Sequence, residues 1–248
     1  MRWAVVGAAV LVASLAWVAS GASREKVNHV SAVVRSGSNE AALRELIEAR
    51  EREIDALRLR LRELEKQAGL DFYREAQTLG IVRAVRDSGL PEQQQRRVAI
   101  AIVRESKVHG LDPLLVVAII RAESSFDNYA RSRVGALGLM QVMPETGKWI
   151  AGKRLVRKTH LFDCELNVEI GTAYLASLIR RFGRLDAALV AYNAGPTAAR
   201  RILADRAAKA RFLAGYPRKV TRELERLKAS LQRAERAQAS TATDRRRG

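Results

Sequence analysis

The sequence predicts an all-α protein, and three local patterns carry this prediction. Between residues 39 and 68 apolar residues recur at alternating spacings of three and four, which is the periodicity of a helix with one apolar seam. Pro91 opens a second helical pattern and Gly110 closes it, at positions these residues favour near helix ends. Asp112 followed by Pro113 marks the start of a third helix. We therefore expect a mainly helical chain.

Composition limits the size of the fold and the kind of partner. A chain of 248 residues that is 48% hydrophobic suits one domain with extensions. Its formal net charge of +17 fits nucleic acid, an anionic membrane surface or an acidic polymer. No nucleic-acid-binding motif accompanies the charge, so we predict no nucleic-acid partner.

The N-terminal segment predicts export. Residues 1–22 combine Arg2 with a long apolar run, which indicates a signal peptide or a signal-anchor helix. The length of the run favours an uncleaved anchor that holds the protein to the membrane through residues 3–22. A polar linker follows at residues 23–38. Both interpretations carry the rest of the chain out of the cytoplasm.

Residues 39–69 predict a coiled-coil-like helix that ends near Gly69 and Asp71. The heptad seam has one charged interruption, and its members are Leu43, Ile47, Arg50, Ile54, Leu57, Leu61, Leu64 and Ala68. Two interpretations stay open, because about four heptads are marginal for a free-standing coiled coil. Residues 39–68 either self-associate or form a single helix packed on the domain that follows.

The helix that begins at Asp112 carries the strongest candidate for chemistry. Residues 114–120 are apolar on every side, so this helix should be buried all round. Glu123 is the first acid after that run, and burial should raise its pKa. Such a carboxyl group can hold a proton near neutral pH and donate it to a leaving oxygen. The alternative is a surface carboxylate at a helix end.

A metal site is not predicted. His160 and Cys164 have the four-residue spacing of ligands on a helix, but two ligands do not make a zinc site. Cys164 is the only cysteine in the chain, so no intramolecular disulfide can form. Asn167 follows as the expected N-cap of another helix.

Three strings in a fixed order resemble a known family. They are E-S-S-F at residues 123–126, A-x-S-x-x-G-A-x-G-L-M-Q-V-M-P at residues 130–144, and A-Y-N-A-G-P at residues 191–196. Together they resemble the SLT-type lytic transglycosylases, relatives of goose-type lysozyme that cut bacterial peptidoglycan. The resemblance covers roughly residues 95–220. It implies a lysozyme-like helical fold that needs no metal or cofactor.

The resemblance also implies the chemistry and the organisation around it. Glu123 would protonate the glycosidic oxygen between N-acetylmuramic acid and N-acetylglucosamine, then take the proton of the C6 hydroxyl, leaving a 1,6-anhydromuramic end. The later acid Asp127 would have no role as a nucleophile. Substrate contacts carry over to Ser132, Met140, Gln141, Tyr192 and Asn193.

The expected organisation follows from these strings. A helical connector spans residues 70–94, the transglycosylase domain spans 95–235, and a basic disordered tail spans 236–248. The match weakens at residues 215–220, where an acidic residue and a threonine of the family pattern are missing. Cys164 replaces a usual proline, which suggests a packing role for this thiol.

The sequence therefore predicts an exported lytic transglycosylase that acts on peptidoglycan glycan strands in the periplasm, tethered to the inner membrane if the N-terminal segment is not cleaved. Two alternatives remain. One is a hydrolytic muramidase with the same fold, which would leave a reducing end. The other is a non-enzymatic, glycan-binding scaffold of the envelope that assembles through residues 39–68.

Overall fold

The computed structural model describes residues 40–86, 88–154 and 157–244, and its regular structure is helical. Two isolated β-bridges join residue 137 to residues 131 and 142, and the described residues contain no longer strand. The all-α prediction is confirmed. The helices are α1 Glu40–Thr78, α2 Ile81–Arg86, α3 Glu92–His109, α4 Pro113–Glu123, α5 Pro144–Ala151, α6 Cys164–Phe182, α7 Leu185–Ala194, α8 Pro196–Ala204, α9 Arg206–Ala214 and α10 Tyr216–Asp244, with 3-10 turns at Gly152–Arg154 and Lys158–Phe162.

The chain divides into two compact units between Lys66 and Gln67. In the described part of the first unit, residues 40–66 are one helix whose apolar seam is exposed: Leu57 is 63% exposed and Leu64 is 54% exposed. The predicted segments 1–22 and 23–38 lie outside the described residues. None of the described helices has the length and hydropathy required to cross a membrane.

Two predicted helix ends are wrong. Helix α1 passes through Gly69 without a break and continues to Thr78, because one glycine costs a long helix only about 1 kcal/mol. Helix α10 likewise continues to Asp244, so residues 236–244 are helical and not an irregular tail. That stretch contains no proline or glycine, and its alanines, its glutamine and its arginine are good helix formers.

Helix α4 is the centre of the second unit. The Asp112 side chain accepts a hydrogen bond from the Leu114 amide at 2.8 Å, and Pro113 occupies the first turn. Every residue from 115 to 120 is buried. Helices α2, α3 and α10 pack around α4, which explains why its sequence is apolar on all sides. The predicted start, burial and end of this helix are confirmed.

Helix α10 is fixed to α4 along its first half. Val220, Leu224 and Leu227 are buried in the core of the unit. The Arg121 guanidinium donates to the Glu223 carboxylate at 2.7 Å, and both side chains are largely buried. This packing brings the start of α10 to the end of α4, where Glu123 lies.

Candidate active site

Glu123 is the last residue of α4 and is half-buried. Burial is the largest influence on this carboxyl group and raises its pKa above the ordinary value of 4.5. The hydroxyl of Tyr216 and the charge of Lys219, both from the first turn of α10, act in the opposite direction and lower the pKa. The predicted direction of the Glu123 pKa is therefore confirmed, although its cause includes partners that lie far away in sequence.

Two tyrosines lie near the carboxyl group. Burial raises the pKa of Tyr192 and of Tyr216 well above the usual value, and the negative charge of Glu123 raises both further. The Tyr192 hydroxyl donates to the Met140 carbonyl at 2.9 Å. The buried Tyr216 hydroxyl faces Glu123 outside ordinary hydrogen-bond geometry and contacts no other polar partner in the described part of the chain. Both phenols therefore stay neutral. Tyr216 can donate to the carboxylate or to a ligand, whereas the single O–H of Tyr192 is given to the Met140 carbonyl.

The backbone immediately after Glu123 is strained. Ser125 has a φ of 52° and Phe126 has a φ of 69°, the left-handed region that side-chain-bearing residues rarely adopt. Ser124 holds this turn, because its hydroxyl donates to the Leu139 carbonyl at 2.8 Å and accepts from the Phe126 amide at 3.1 Å. Strain of this kind persists only where surrounding contacts impose it, and it is common at functional sites.

Asn167 is a buried clamp on the G-L-M-Q turn, and the prediction that it caps a helix is wrong. Asp163 is the N-cap of α6, accepting from the Leu166 amide at 2.9 Å. The Asn167 side chain lies one turn into the helix with no exposed surface. It accepts from the Met140 amide at 2.8 Å and donates to the carbonyls of Leu137 at 2.9 Å and Leu161 at 2.7 Å.

Two glycines make room for this clamp. Gly138 has a φ of 76°, and a Cβ atom there would lie 2.4 Å from both the Asn167 amide nitrogen and the Leu161 carbonyl oxygen. A Cβ atom on Gly171 would lie 2.5 Å from the Met140 sulfur. Real Cβ atoms essentially never approach other atoms this closely. The turn can therefore pack against α6 only if both positions lack a side chain.

The predicted binding residues occupy different environments. Met140 has no exposed surface, and its sulfur accepts from the Thr172 hydroxyl at 3.8 Å, so its side chain supports the turn from behind and does not line an open cleft. Gln141 is partly exposed, has a strained φ of 48°, and donates its amide hydrogens to the Gly138 and Ala130 carbonyls. Asn193 is exposed at the end of α7, next to Tyr192.

Ser132 and Asp127 both act within turns. The Ser132 hydroxyl accepts from the Ala136 amide at 2.9 Å, and the side chain lines a separate cavity of about 450 Å³ together with Arg131 and Phe162. Asp127 is exposed and accepts from the Tyr129 amide at 2.8 Å. This hydrogen bond gives the Asp127 side chain a role in forming the turn.

A basic groove of about 680 Å³ opens beside the candidate acid. Ala122 and Ser125 line it on either side of Glu123 in the sequence. Its charged lining residues are one acid and five cations: Glu223, Arg121, Arg218, Lys219, Arg222 and Arg226. Glu223 pairs with Arg121 and with Arg226, at 2.7 Å and 2.9 Å. Arg218 and Arg222 have no acidic partner among the described residues, so the groove favours an anionic ligand.

Tyr216 and Lys219 are the site residues that the sequence analysis missed. The available signal was the weak resemblance of residues 215–220 to the family pattern, from which an acidic residue and a threonine are missing, and it did not indicate these two residues as site residues. Elsewhere, Cys164 is buried and burial raises its pKa, which agrees with a packing role. Among the described residues, no three His, Cys, Asp or Glu side chains are placed to hold a metal ion.

Comparison with known proteins shows which family this part of the chain resembles. Residues 101–213 match the family described as Transglycosylase SLT domain. The matched range contains all three strings, and Glu123 lies within it. This part of the chain is thus similar to a transglycosylase domain of the SLT type, which agrees with the resemblance seen in the sequence. Tyr216 and Lys219 lie just beyond the matched residues.

Individual relatives are similar over part of their length. The membrane-bound lytic murein transglycosylase C of Edwardsiella ictaluri (strain 93-146) is 41% identical over 116 residues, which is 40% of this chain and 31% of the relative. The chain therefore spans about a third of that curated relative.

Two solved structures are similar with TM-scores of 0.48. One is an inactive mutant of the lytic transglycosylase Slt from Pseudomonas aeruginosa, at 33% identity over 53% of this chain and 24% of that chain. The other is the 70 kDa soluble lytic transglycosylase from Escherichia coli, at 25% identity over 66% of this chain and 30% of that chain.

Proposed function

We propose that this protein is a peptidoglycan lytic transglycosylase with Glu123 as its single acid and base. The observation that carries the proposal is the half-buried Glu123 carboxyl group, whose pKa is raised by burial and lowered by Tyr216 and Lys219. Because these effects on its pKa oppose one another, the Glu123 carboxyl group can both release a proton and take one back. The family match of residues 101–213 supplies the substrate class, the glycan strands of peptidoglycan.

In the first step the protonated Glu123 carboxyl donates its proton to the oxygen that links N-acetylmuramic acid to N-acetylglucosamine. The bond from the muramic C1 to that oxygen breaks, and its electron pair leaves with the N-acetylglucosamine. The acetamido oxygen of the muramic ring shares the positive charge left at C1. Burial favours this step because Glu123 holds its proton to a higher pH than an exposed carboxyl group does.

In the second step the Glu123 carboxylate removes the proton of the muramic C6 hydroxyl, and that oxygen bonds to C1. The proton is back on Glu123, no water is consumed, and the product carries a 1,6-anhydro ring. Proximity favours the attack because the hydroxyl belongs to the same sugar. Lys219 and Tyr216 stabilise the carboxylate between the two steps, since both favour its ionised form.

The other residues position the reacting groups. The Tyr192 hydroxyl donates to the Met140 carbonyl, so it contributes a neutral acceptor oxygen near Glu123. Gln141, Asn193 and Ser132 are the proposed contacts with the sugar amides and hydroxyls. A two-carboxylate hydrolysis is less well supported: Asp127 forms a turn, and Glu223 is paired with two arginines.

Product analysis tests the proposal directly. The full chain is incubated with purified peptidoglycan, and the released muropeptides are analysed by mass spectrometry. We expect products one water lighter than hydrolysis products, with 1,6-anhydromuramic ends. Products at the full hydrolysed mass would make the protein a muramidase, and glycan binding without any products would favour an envelope scaffold.

The pH dependence of cleavage should report the pKa of Glu123. The first step needs the protonated form, so kcat/KM should fall as pH rises through the raised pKa of Glu123. Lys219→Met removes a charge that lowers this pKa, so the falling limb should move to higher pH. Lys228→Met is the matched control, because Lys228 lies on the same helix and pairs with Asp112 at 3.2 Å. Identical falling limbs in wild type and Lys219→Met would contradict this assignment.

The location we propose is the periplasm, with a tether to the inner membrane through residues 3–22. The support is the apolar N-terminal run, together with the name of the similar Edwardsiella protein, which describes that protein as membrane-bound. Deleting residues 1–22 and replacing them with a cleavable signal should move the protein from the membrane fraction to the soluble periplasmic fraction. Retention in the membrane fraction would locate the tether elsewhere in the chain.

Self-association through residues 39–68 is a separate proposal. Its support is the exposure of the apolar seam, with Leu57 and Leu61 at 63% and 56%. Replacing both with glutamate should reduce the assembly to monomers in sedimentation velocity, because charges would enter the seam. Leu59→Glu is the matched control, since Leu59 is 61% exposed but lies off the seam. A wild-type protein that already sediments as a monomer would refute this proposal.

A further inference from the structure

Trp149 on helix α5 is unusual for a large aromatic side chain, because 66% of its surface is exposed. A large exposed aromatic side chain is informative when it belongs to an ordered surface feature. Trp149 meets Tyr174 edge to face, with ring centroids 6.3 Å apart and an interplanar angle of 87°. Tyr174 in turn contacts Tyr192 at 5.5 Å. Three aromatic rings thus form a row from the surface to the phenol that adjoins Glu123.

The outer end of this row lines a groove with a volume of about 510 Å³. Trp149 and Tyr174 provide apolar faces, and the remaining lining is mostly polar: Glu145, Thr146, Ser177, Leu178, Arg181 and Pro196. The groove combines one carboxylate with one guanidinium, so its charges balance. It differs in this respect from the basic groove beside Glu123, which has two arginines without acidic partners.

The chemistry of this groove favours a neutral sugar. A pyranose ring has an apolar face of C–H groups that packs on an aromatic side chain, and its hydroxyl and amide groups extend from the edge. Hydroxyls, a carboxylate and a guanidinium beside the rings can satisfy those edge groups. An anionic ligand would gain nothing from a groove without net charge, and an apolar peptide would leave these polar groups unpaired.

We propose that Trp149 and Tyr174 form an aromatic subsite for a neutral N-acetylhexosamine ring of a glycan strand, separate from the bond cleaved at Glu123. The subsite deepens the proposed function and rests on it for the identity of the strand. The row of rings that ends at Tyr192 places the subsite within reach of a strand bound at the acid. Its role is to hold the strand in register while the reacting bond lies at Glu123.

The experiment measures binding without cleavage. The full chain with Glu123→Gln, in detergent, is titrated with a tetramer of N-acetylglucosamine by isothermal calorimetry, in parallel with the same protein carrying Trp149→Ala or Trp149→Phe. We expect saturable binding by the parent, roughly tenfold weaker binding with Trp149→Ala, and a smaller loss with Trp149→Phe. Thermal melting checks the fold, which should not change because Trp149 is exposed. Phe212→Ala, at an exposed aromatic residue outside this groove, should bind like the parent.

The outcomes separate this inference from the proposed function. Equal affinity in the parent and in Trp149→Ala, or no binding by the parent, would overturn the subsite even if the wild-type enzyme cleaves peptidoglycan. Trp149-dependent binding in a protein that releases no products would support the subsite while contradicting the transglycosylase. With active enzyme, Trp149→Ala should raise KM for glycan strands about tenfold with little change in kcat.

Discussion

Glu123→Gln is expected to reduce the release of muropeptides from peptidoglycan by about a thousandfold or more. Glutamine keeps the shape of the side chain but has no acidic proton to donate, and it cannot take a proton from the C6 hydroxyl. General acid–base catalysis by one group contributes about 10²–10⁴-fold, and in the proposed mechanism one group serves both steps. The measurement is the initial rate of soluble product release, separated by liquid chromatography, at a pH below the falling limb of the wild-type enzyme.

Asp127→Asn is the matched control for this loss. It makes the same chemical change four residues later, at an exposed carboxylate that shapes a turn, and activity should stay close to wild type. An active Glu123→Gln enzyme would remove Glu123 from the mechanism. Loss of activity in both variants would point instead to disruption of the turn after α4.

Glu123→Gln should also be at least as stable as wild type at neutral pH. Burial raises the folded-state pKa of Glu123 above 4.5, so the folded protein binds this proton more tightly than the unfolded chain does. Stability is therefore lost as pH rises from about 4.5 through the raised pKa. Glutamine removes that loss, so melting temperatures of the two proteins should converge below pH 4.5. A less stable variant at neutral pH would show that the carboxylate makes a favourable contact.

The part of the site that the sequence predicts is the part determined by local signals. Helix α4 begins at an aspartate cap and a proline, has one uninterrupted apolar run, and ends at the first acid after it. Each feature acts within a few residues, so the burial of the helix and the raised pKa of Glu123 followed from the order of residues alone. The family strings extended the prediction of site residues to Tyr192 and to the turn around residues 138–141.

Contacts between distant segments were not predictable in the same way. Tyr216 and Lys219 reach Glu123 only because α10 packs along α4, and the sequence pattern at residues 215–220 departs from the family. Met140 has no exposed surface although it lies next to Gln141, because the strained turn sends consecutive side chains in different directions. Asparagine is a common N-cap residue, but Asp163 is the N-cap of α6. Only the register of α6 shows that the Asn167 side chain is directed into the core.

The second large effect is expected at Asn167, where Asn167→Ala should destabilise the fold on the order of 3–5 kcal/mol. The Met140 amide and the Leu161 carbonyl would lose their partner in the protein interior, and the Leu137 carbonyl would keep only the Val142 amide at 2.9 Å. Each buried polar group left unpaired costs about 1–3 kcal/mol, and partial entry of water offsets some of that sum. For a protein of this size the melting temperature should fall by about 10 °C. Calorimetric melting of the purified variant measures it.

Asn193→Ala provides the same chemical change at an exposed asparagine, and its melting temperature should match wild type. If Asn167→Ala melted like Asn193→Ala, the Met140 amide and the Leu161 carbonyl would have found other partners and the clamp would be unimportant. The clamp also connects stability to catalysis, since Asn167 holds the Met140 backbone and the Met140 carbonyl holds the Tyr192 hydroxyl beside Glu123. Residual folded Asn167→Ala should therefore cleave more slowly, through a lower kcat, even where the fold persists.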